Sequence, residues 1–351
     1  MNSDFLIIGG GVIGLSVARE IASRKIGSVM LVDKGLVGSE ASGAAAGMLA
    51  AQAESDHGGQ FLDLCIASRN LYPDFSEALL EETGVDIGLE RSGTFYLAFD
   101  KDDSLEIRKR FEWQRDAGLR VELLSREEIL SEETTLNPEL IEGLSFPDDW
   151  QVENRKLVSA LRESLTRLGV DVVEGCEVLS ISSGKSGVGV TTRGSKHEAG
   201  QVIVCAGAWA SAISSDVVIP EVRPVKGQIL EYICDRANPP KRVIYSPRGY
   251  IVPRPDGHLI AGSTMEDADY DKTPTQGGAE QIRINVREIL PSLAESRETD
   301  HYAGLRPLGR NQIPFIGRLE DERILAATGH FRNGILLAPI TAKKIADLIE
   351  S

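Results

Sequence analysis

The chain has 351 residues, 42% hydrophobic and 26% charged, an ordinary globular composition that at roughly 150 residues per domain predicts two domains. Its 38 basic against 53 acidic side chains leave a net charge of −15, so it carries no basic footprint for nucleic acid or an anionic membrane. No apolar run reaches the roughly 18 residues of a bilayer span, and no signal peptide precedes the first strand, so a soluble, cytoplasmic protein is expected.

Phe5-Leu6-Ile7-Ile8 reads as a short buried strand, Gly9-Gly10-Gly11 as a turn, and Val12, Ile13, Val17, Ile21 and Ala22 as one helix face stopped at Gly27. Val29 to Val32 is a second strand, ended by Asp33, which completes a βαβ unit and makes a parallel, helix-covered sheet the leading architecture. From Gly35 to Gly59 the pattern dissolves into small residues, including Ala44-Ala45-Ala46-Gly47. This segment is either a loop entering a tightly packed helix or a stretch where backbone must approach a flat ligand closely. Helices are predicted over 61–82, 104–117, 155–168 and 276–290, and strands over 94–99 and 170–173. Short strands then alternate to Val204, and the 220–265 region is strand-rich with a Pro-Asp-Gly turn at 255–257. The chain closes with a strand over 324–327, a loop from Gly329 to Gly334 and a helix over 338–349. The basic cluster Arg108-Lys109-Arg110 with Arg115 lies beside Glu106 and Glu112 and reads as a solvated helix face. The cysteines (Cys65, Cys176, Cys205, Cys234) lack CxxC spacing and histidine partners, so neither a disulfide framework nor a metal site is expected, and Cys205 reads as a buried core thiol.

Gly9-Gly10-Gly11-Val12-Ile13-Gly14 matches the GxGxxG pattern, which alone is weak. Here it follows a strand, opens a helix and is followed 19 residues after Gly14 by Asp33. Gly9 and Gly11 permit the tight turn and let backbone amides meet a pyrophosphate at the helix N-terminus. Gly14 permits close helix–sheet packing, and Asp33 accepts from a ribose hydroxyl. The pattern does not separate NAD from FAD. The sheet is completed late, by Val202 to Gly207 and by the final strand and helix, a spacing that favours FAD crossed by returning segments. The alanine-rich loop at 41–48 is then a wall for the flavin ring, and Gly334 brings the positive end of the last helix near its pyrimidine edge.

IIGGGVIG, SGAAAGML, CAGAWA, YIVPR, GLRP…IPFIG and the closing GHFRNGILLAP, in this order along the whole chain, resemble the D-amino acid oxidase-type flavoproteins, most closely the glycine oxidases of thiamin biosynthesis. The resemblance implies a Rossmann-like α/β FAD-binding domain interleaved with an α+β substrate domain built on a large antiparallel sheet. The FAD domain is expected over 1–84, 146–217 and 305–351, the substrate domain over 85–145 and 218–304. It further implies non-covalent FAD, touched by Val12, Ile13, Asp33, Lys34, Ala41 and Ser42, with Ala46, Gly47 and Met48 against the ring and Val178 at the adenine. His330, Phe331, Arg332, Asn333, Gly334, Ile335 and Leu336 match the loop over the pyrimidine end, and Arg332 the residue beside the substrate amine. Related sarcosine oxidases attach flavin through a late cysteine, whereas none follows Cys234 here.

By the same resemblance Arg306 and Tyr250 hold the substrate carboxylate, although the residues alone leave Tyr250 open as a strand aromatic with its hydroxyl at the surface; Met48 and Met265 read as apolar pocket walls, with ordinary core equally open for Met265. The family's histidine two positions before the tyrosine is replaced by Arg248, which bears on charge at the pocket mouth. Oxidation of an α-amino acid needs orientation more than protein acids and bases, and arginine's planar fork suits a carboxylate anchor. His301 and His330 are therefore not needed as bases. The expected activity is oxidation of glycine, sarcosine or D-alanine to an imine with O2 reduced to H2O2, by a homotetramer. Two readings stay open beside it: a dehydrogenase passing electrons to a quinone or partner flavoprotein, and a flavin-binding subunit of a larger complex.

Overall fold

The run Phe5 to Ile8 has no polar residue to turn toward water, and the computed structural model, which describes residues 2–234 and 239–351, buries it at the centre of a nine-stranded sheet. Positions 235–238, within the strand-rich region expected over 220–265, lie outside the described residues. Asp171–Val173, Val29–Val32, Asn2–Ile8, Lys196–Val204 and Ile324–Thr328 lie side by side and parallel. Strand alternation sends Phe5 and Ile7 to one face, Leu6 and Ile8 to the other. The first face shares a core with helices Val12–Ser23, Gln60–Thr83, Asn154–Arg167 and Gly334–Glu350. The second is closed by Ile181, Val188 and Val190 of the antiparallel strands Val178–Ser183 and Val188–Thr192.

The second sheet has eight strands in the order Arg297–Gly309, Val222–Ile233, His258–Gly262, Gly249–Pro253, Val243–Ser246, Thr94–Ala98, Glu142–Phe146 and Glu122–Ser125. Among the described residues, only the Val243–Ser246 and Thr94–Ala98 pair of this sheet is parallel. Its back face carries Leu230, Ile244, Ile251 and Ala261 against Ala279, Ile282, Val286 and Ile289, the apolar stripe of helix Gln276–Ile289. On its front face Tyr96, Tyr245, Tyr250, Gly262, Ile229 and Tyr302 stand opposite one another in a row across six strands. The first sheet draws its strands from 2–32, 171–215 and 315–328 once the short pair Met48–Leu49 with Trp150–Gln151 is set apart; the second draws on 94–146 and 222–309.

Two sequence expectations change. The last helix begins at Gly334, four residues before the expected Ala338, with Pro339 inside it. Pro339 has no N–H for the Ile335 carbonyl, and the Tyr72 hydroxyl donates there instead, while Ser68 Oγ donates to Leu336 O at 2.6 Å. The basic cluster is not one solvated face: Arg110 is only 5% exposed, with its guanidinium on Ala53 O, Ser55 O, Asp56 and Glu106. Four acceptors within reach outweigh the cost of removing one cation from water.

Candidate active site

A cavity of about 450 Å³ lies between the C-terminal ends of the parallel strands and the front face of the second sheet. At its first end Gly9 has φ 108°, and a Cβ there would stand 2.4 Å from Cys205 O. A Cβ at Gly14 would stand 1.9 Å from Gly9 O, so the turn and the helix that follows close on each other only without side chains. Helix Val12–Ser23 starts at Gly11 with no side-chain cap, while Val12 N donates to Ser42 Oγ at 2.9 Å. The remaining first-turn amides and the helix dipole suit an anionic pyrophosphate. Asp33 Oδ2 accepts from Gly10 N at 2.6 Å and Oδ1 from Gly35 N at 2.7 Å, which fixes the carboxylate and leaves lone pairs for hydroxyl donors.

Beyond Asp33, the Lys34 ammonium lies 3.1 Å from the Trp209 ring centroid, and Trp209 stacks with Tyr270 at 5.8 Å. Burial holds Lys34 below its ordinary pKa, a cation over an indole in a half-dry site. Val178 lines this end with Cys176 and Glu177. Thr328 Oγ1, on the same cavity wall, is buried without a protein partner among the described residues. An orphaned hydroxyl, uncapped amides and a glycine cradle together form the donor set of an extended, phosphate-bearing cofactor.

The alanine-rich loop forms the middle of the cavity through Ala41, Ser42, Ala44, Ala45, Ala46, Gly47 and Met48. Buried groups pin its backbone. Arg254 Nη2 donates to Ala46 O at 2.7 Å and Nη1 to Val152 O at 3.2 Å, and Asn154 Nδ2 donates to Ser42 O at 2.9 Å. Gly304 of the second sheet permits the contact from the other side, since a Cβ there would stand 2.8 Å from that of Ala44. Opposite runs the loop from His330. Phe331, at φ 49°, donates its N–H to Pro307 O at 2.8 Å. His330 Nε2 lies 3.0 Å from Thr341 Oγ1, and burial pushes its pKa down to about 3, so it stays neutral at ordinary pH. Helix Gly334–Glu350 starts without a side-chain cap, and Gly334 and Ile335 line the cavity. Gly14, Asn333 and Leu336 are not on the wall: Gly14 packs on Gly9, Asn333 N bonds His330 O at 2.9 Å, and Leu336 belongs to the helix core.

At the far end Arg306 crosses the space above Gly227, where a Cβ would stand 2.1 Å from its Nη1. Its Nη1 donates to Thr264 O at 3.0 Å and Nη2 to Ser263 Oγ at 2.7 Å, and it forms no ion pair among the described residues. Tyr250 is buried beside it, hydrogen-bonded to Ser263 and Arg306, with burial raising its pKa. The Tyr250 hydroxyl is thereby held inside the pocket, not at the surface. Arg332 reaches Glu54, Nε to Oε2 at 3.5 Å, and Glu54 is hydrogen-bonded to Tyr245. Met48 lines the pocket half-buried, whereas Met265 lines it while 65% exposed, at the rim rather than in a core. Arg248 lies on the wall, but its guanidinium is engaged by Asp100, Asp103 and Glu288, so it adds no unpaired charge at the mouth. Glu54, Tyr245 and Ser263 escaped the sequence reading. Glu54 alone left a signal, an acid ending the alanine-rich stretch Ala50-Ala51-Gln52-Ala53.

The model of the FAD dependent oxidoreductase family DAO matches residues 4–348. The chain belongs to this family. FAD is the cofactor of this DAO-family protein, and the uncapped helix, the Asp33 carboxylate and the pinned loop are the parts that fit it. The protein is 34% identical to the glycine oxidase of Geobacillus kaustophilus, over 99% of this chain and 93% of that one. It is 36% identical to the bifunctional protein ThiO/ThiG of Synechocystis, over 99% of this chain and 52% of the relative. The crystal structure of the Geobacillus enzyme superposes with a TM-score of 0.95 at 32% identity, covering 99% of this chain and 95% of that one. No helix of the described residues is long and apolar enough to cross a membrane.

Proposed function

We propose that this flavoprotein oxidises glycine, and small amines such as sarcosine and D-alanine, to the imine. The imine hydrolyses to the oxo acid (glyoxylate in the case of glycine) and releases the amine nitrogen. The observation that carries this reading is Arg306, a guanidinium at the end of the cavity with no carboxylate partner among the described residues, beside the buried Tyr250. A planar fork in a partly dry site binds a substrate carboxylate through two oxygens. Bound FAD supplies the two-electron oxidant, with O2 as the final acceptor and H2O2 as its product.

The protein's own share is positional. Arg306 and Tyr250 fix the carboxylate, and the 41–48 loop, pinned by Arg254 and Asn154, forms the opposing wall. Holding the reacting carbon at near-attack distance replaces much of the acid–base chemistry other oxidations need. Similarity along nearly the whole of the glycine oxidases, and over about half the length of the ThiO/ThiG proteins, supports glycine as substrate and thiazole synthesis of thiamin as the use of the product. We place the domain boundaries at 84/85, 145/146, 217/218 and 304/305; the separate origins of the two sheets support two interleaved domains, while the second-sheet strands Glu142–Phe146 and Arg297–Gly309 run past the 145/146 and 304/305 boundaries.

The test is an anaerobic absorbance spectrum before and after glycine, followed by air. Bleaching of the flavin band and recovery with peroxide formation is the expected result. A flavin that glycine does not bleach would overturn the substrate, and bleaching without recovery in air would overturn the acceptor.

A further inference from the structure

We propose that Glu54 sets the charge this pocket accepts: by neutralising Arg332 it confines the site to substrates with a single carboxylate. The inference rests on the amine-oxidase reading above and adds a specificity-determining residue to it. Three arginines line the cavity, and two of them, Arg306 and Arg332, set the balance at its substrate end. Arg306 forms no ion pair among the described residues, whereas Arg332 lies 3.5 Å from a Glu54 side chain that is only 9% exposed. Two cations and one anion leave a single positive charge, which matches one carboxylate beside a neutral amine. Arg248 does not alter that sum, because Asp100, Asp103 and Glu288 hold it.

Glu54 is held in place from three sides. Its hydrogen bond with Tyr245 comes from the second sheet. The backbone just before it is fixed by the buried Asp149, which accepts from Gln52 N at 3.0 Å and Ala53 N at 2.7 Å. Arg110 holds the carbonyls of Ala53 and Ser55 on either side. Burial raises the Glu54 pKa, while Arg332, then Arg306 and Tyr245, oppose the rise. With the turn clamped, Glu54 has no route out of the pocket when a second anionic group arrives. A diacid would meet a carboxylate where it needs Arg332, and like charges in a partly dry site repel strongly.

The test compares the holoenzyme with Glu54→Gln, Glu54→Ala and the double variant Glu54→Gln/Arg332→Gln. Turnover is measured with glycine and with N-(carboxymethyl)glycine, and binding of unreactive acetate and malonate by thermal shift and by perturbation of the flavin spectrum. Both single variants should raise the diacid-to-monoacid ratio about tenfold in kcat/KM and in affinity, and the double variant should lose that gain, because freed Arg332 is its cause. A role in folding alone would lower all ligands together and leave the ratio unmoved. A ratio within about twofold of wild type in the single variants, or a gain that survives removal of Arg332, overturns the proposal. If neither amine is oxidised by any form, the amine-oxidase reading fails while the acetate and malonate ratios still decide the role of Glu54.

Discussion

The two ends of the cavity are built by opposite means. The cofactor end is made of backbone: Gly9, Gly11, the uncapped helix start and the pinned 41–48 loop meet the ligand with main-chain groups, and Asp33 is fixed by two backbone amides. The substrate end is made of side chains gathered from separate strands and loops, with Arg306, Tyr250, Tyr245, Arg332 and Glu54 brought together by the second sheet and its neighbours. A backbone site tolerates no added atom at its closest approaches but is indifferent to most other residues. A side-chain site tolerates change in the chain around it but loses its specificity when a single head group is altered.

The strongest way to break that contrast is Gly14→Val. Its Cβ would stand 1.9 Å from Gly9 O, a backbone atom that gives way only if the turn itself moves. The expected product is a protein purified without flavin and destabilised by more than the usual overpacking cost of about 1–3 kcal/mol. The ratio of flavin to protein absorbance checks this, and retained stoichiometric flavin would show the turn to be far more pliant than its contacts imply. Next in size is Arg306→Ala, expected to keep flavin and to weaken glycine binding by about 2–5 kcal/mol, read as the dissociation constant from flavin titration. Arg306→Lys should recover only part of this, because an ammonium offers a point charge where the fork offered two parallel donors. Equal glycine affinity in Arg306→Ala would remove the residue from the site.

The same contrast explains what the sequence disclosed. The nucleotide end was legible because strand, turn, helix and acid follow one another within Phe5 to Asp33, and the local pattern is itself the mechanism. Helices Asn154–Arg167 and Gln276–Ile289 were legible for the same reason, each having an apolar stripe that needs no distant information. Arg306 and Tyr250 carried weight only through the resemblance, since nothing near them in the chain tells an anchor from a structural ion pair. Arg110 and Arg248 show why. Their directions are set by partners such as Ser55, Asp100 and Glu288, between 40 and 148 residues away apart from local neighbours. The start of the last helix was hidden because Pro339 argues against helix in its own segment, and the compensating donor, Tyr72, lies 263 residues before the Ile335 carbonyl it serves.

A smaller effect at neutral pH, and a larger one in acid, is expected at His330. Burial depresses its folded pKa to about 3 from an ordinary 6.5. Between these values the unfolded chain binds a proton that the folded chain does not, so stability is fully present above pH 6.5 and declines as pH falls toward 3. His330→Gln keeps a polar partner for Thr341 and removes the titration. Its melting temperature should therefore fall less steeply than that of wild type over this window, with little difference at pH 7. The glycine pH–rate profile should show no limb from His330, and parallel melting curves in acid would assign the acid sensitivity to other groups.

The smallest effect is expected where the two regions meet at the surface. Lys272, on the segment that follows strand His258–Gly262, reaches Glu40 at 2.8 Å, and Glu40 in turn lies 3.9 Å from Lys34 over Trp209. Both partners are partly solvated, 43% and 27% exposed, so the pair is worth about 0–1 kcal/mol and is screened by salt. Lys272→Ala also removes a cation that opposes protonation of Lys34, which returns part of the loss because Glu40 then serves Lys34 alone. The FAD dissociation constant should consequently change by less than about fivefold at low salt, and the change should vanish at high salt. A large, salt-independent loss of FAD would mean that this bridge closes the cofactor end as firmly as the backbone does, and the division of the cavity into a backbone half and a side-chain half would have to be redrawn.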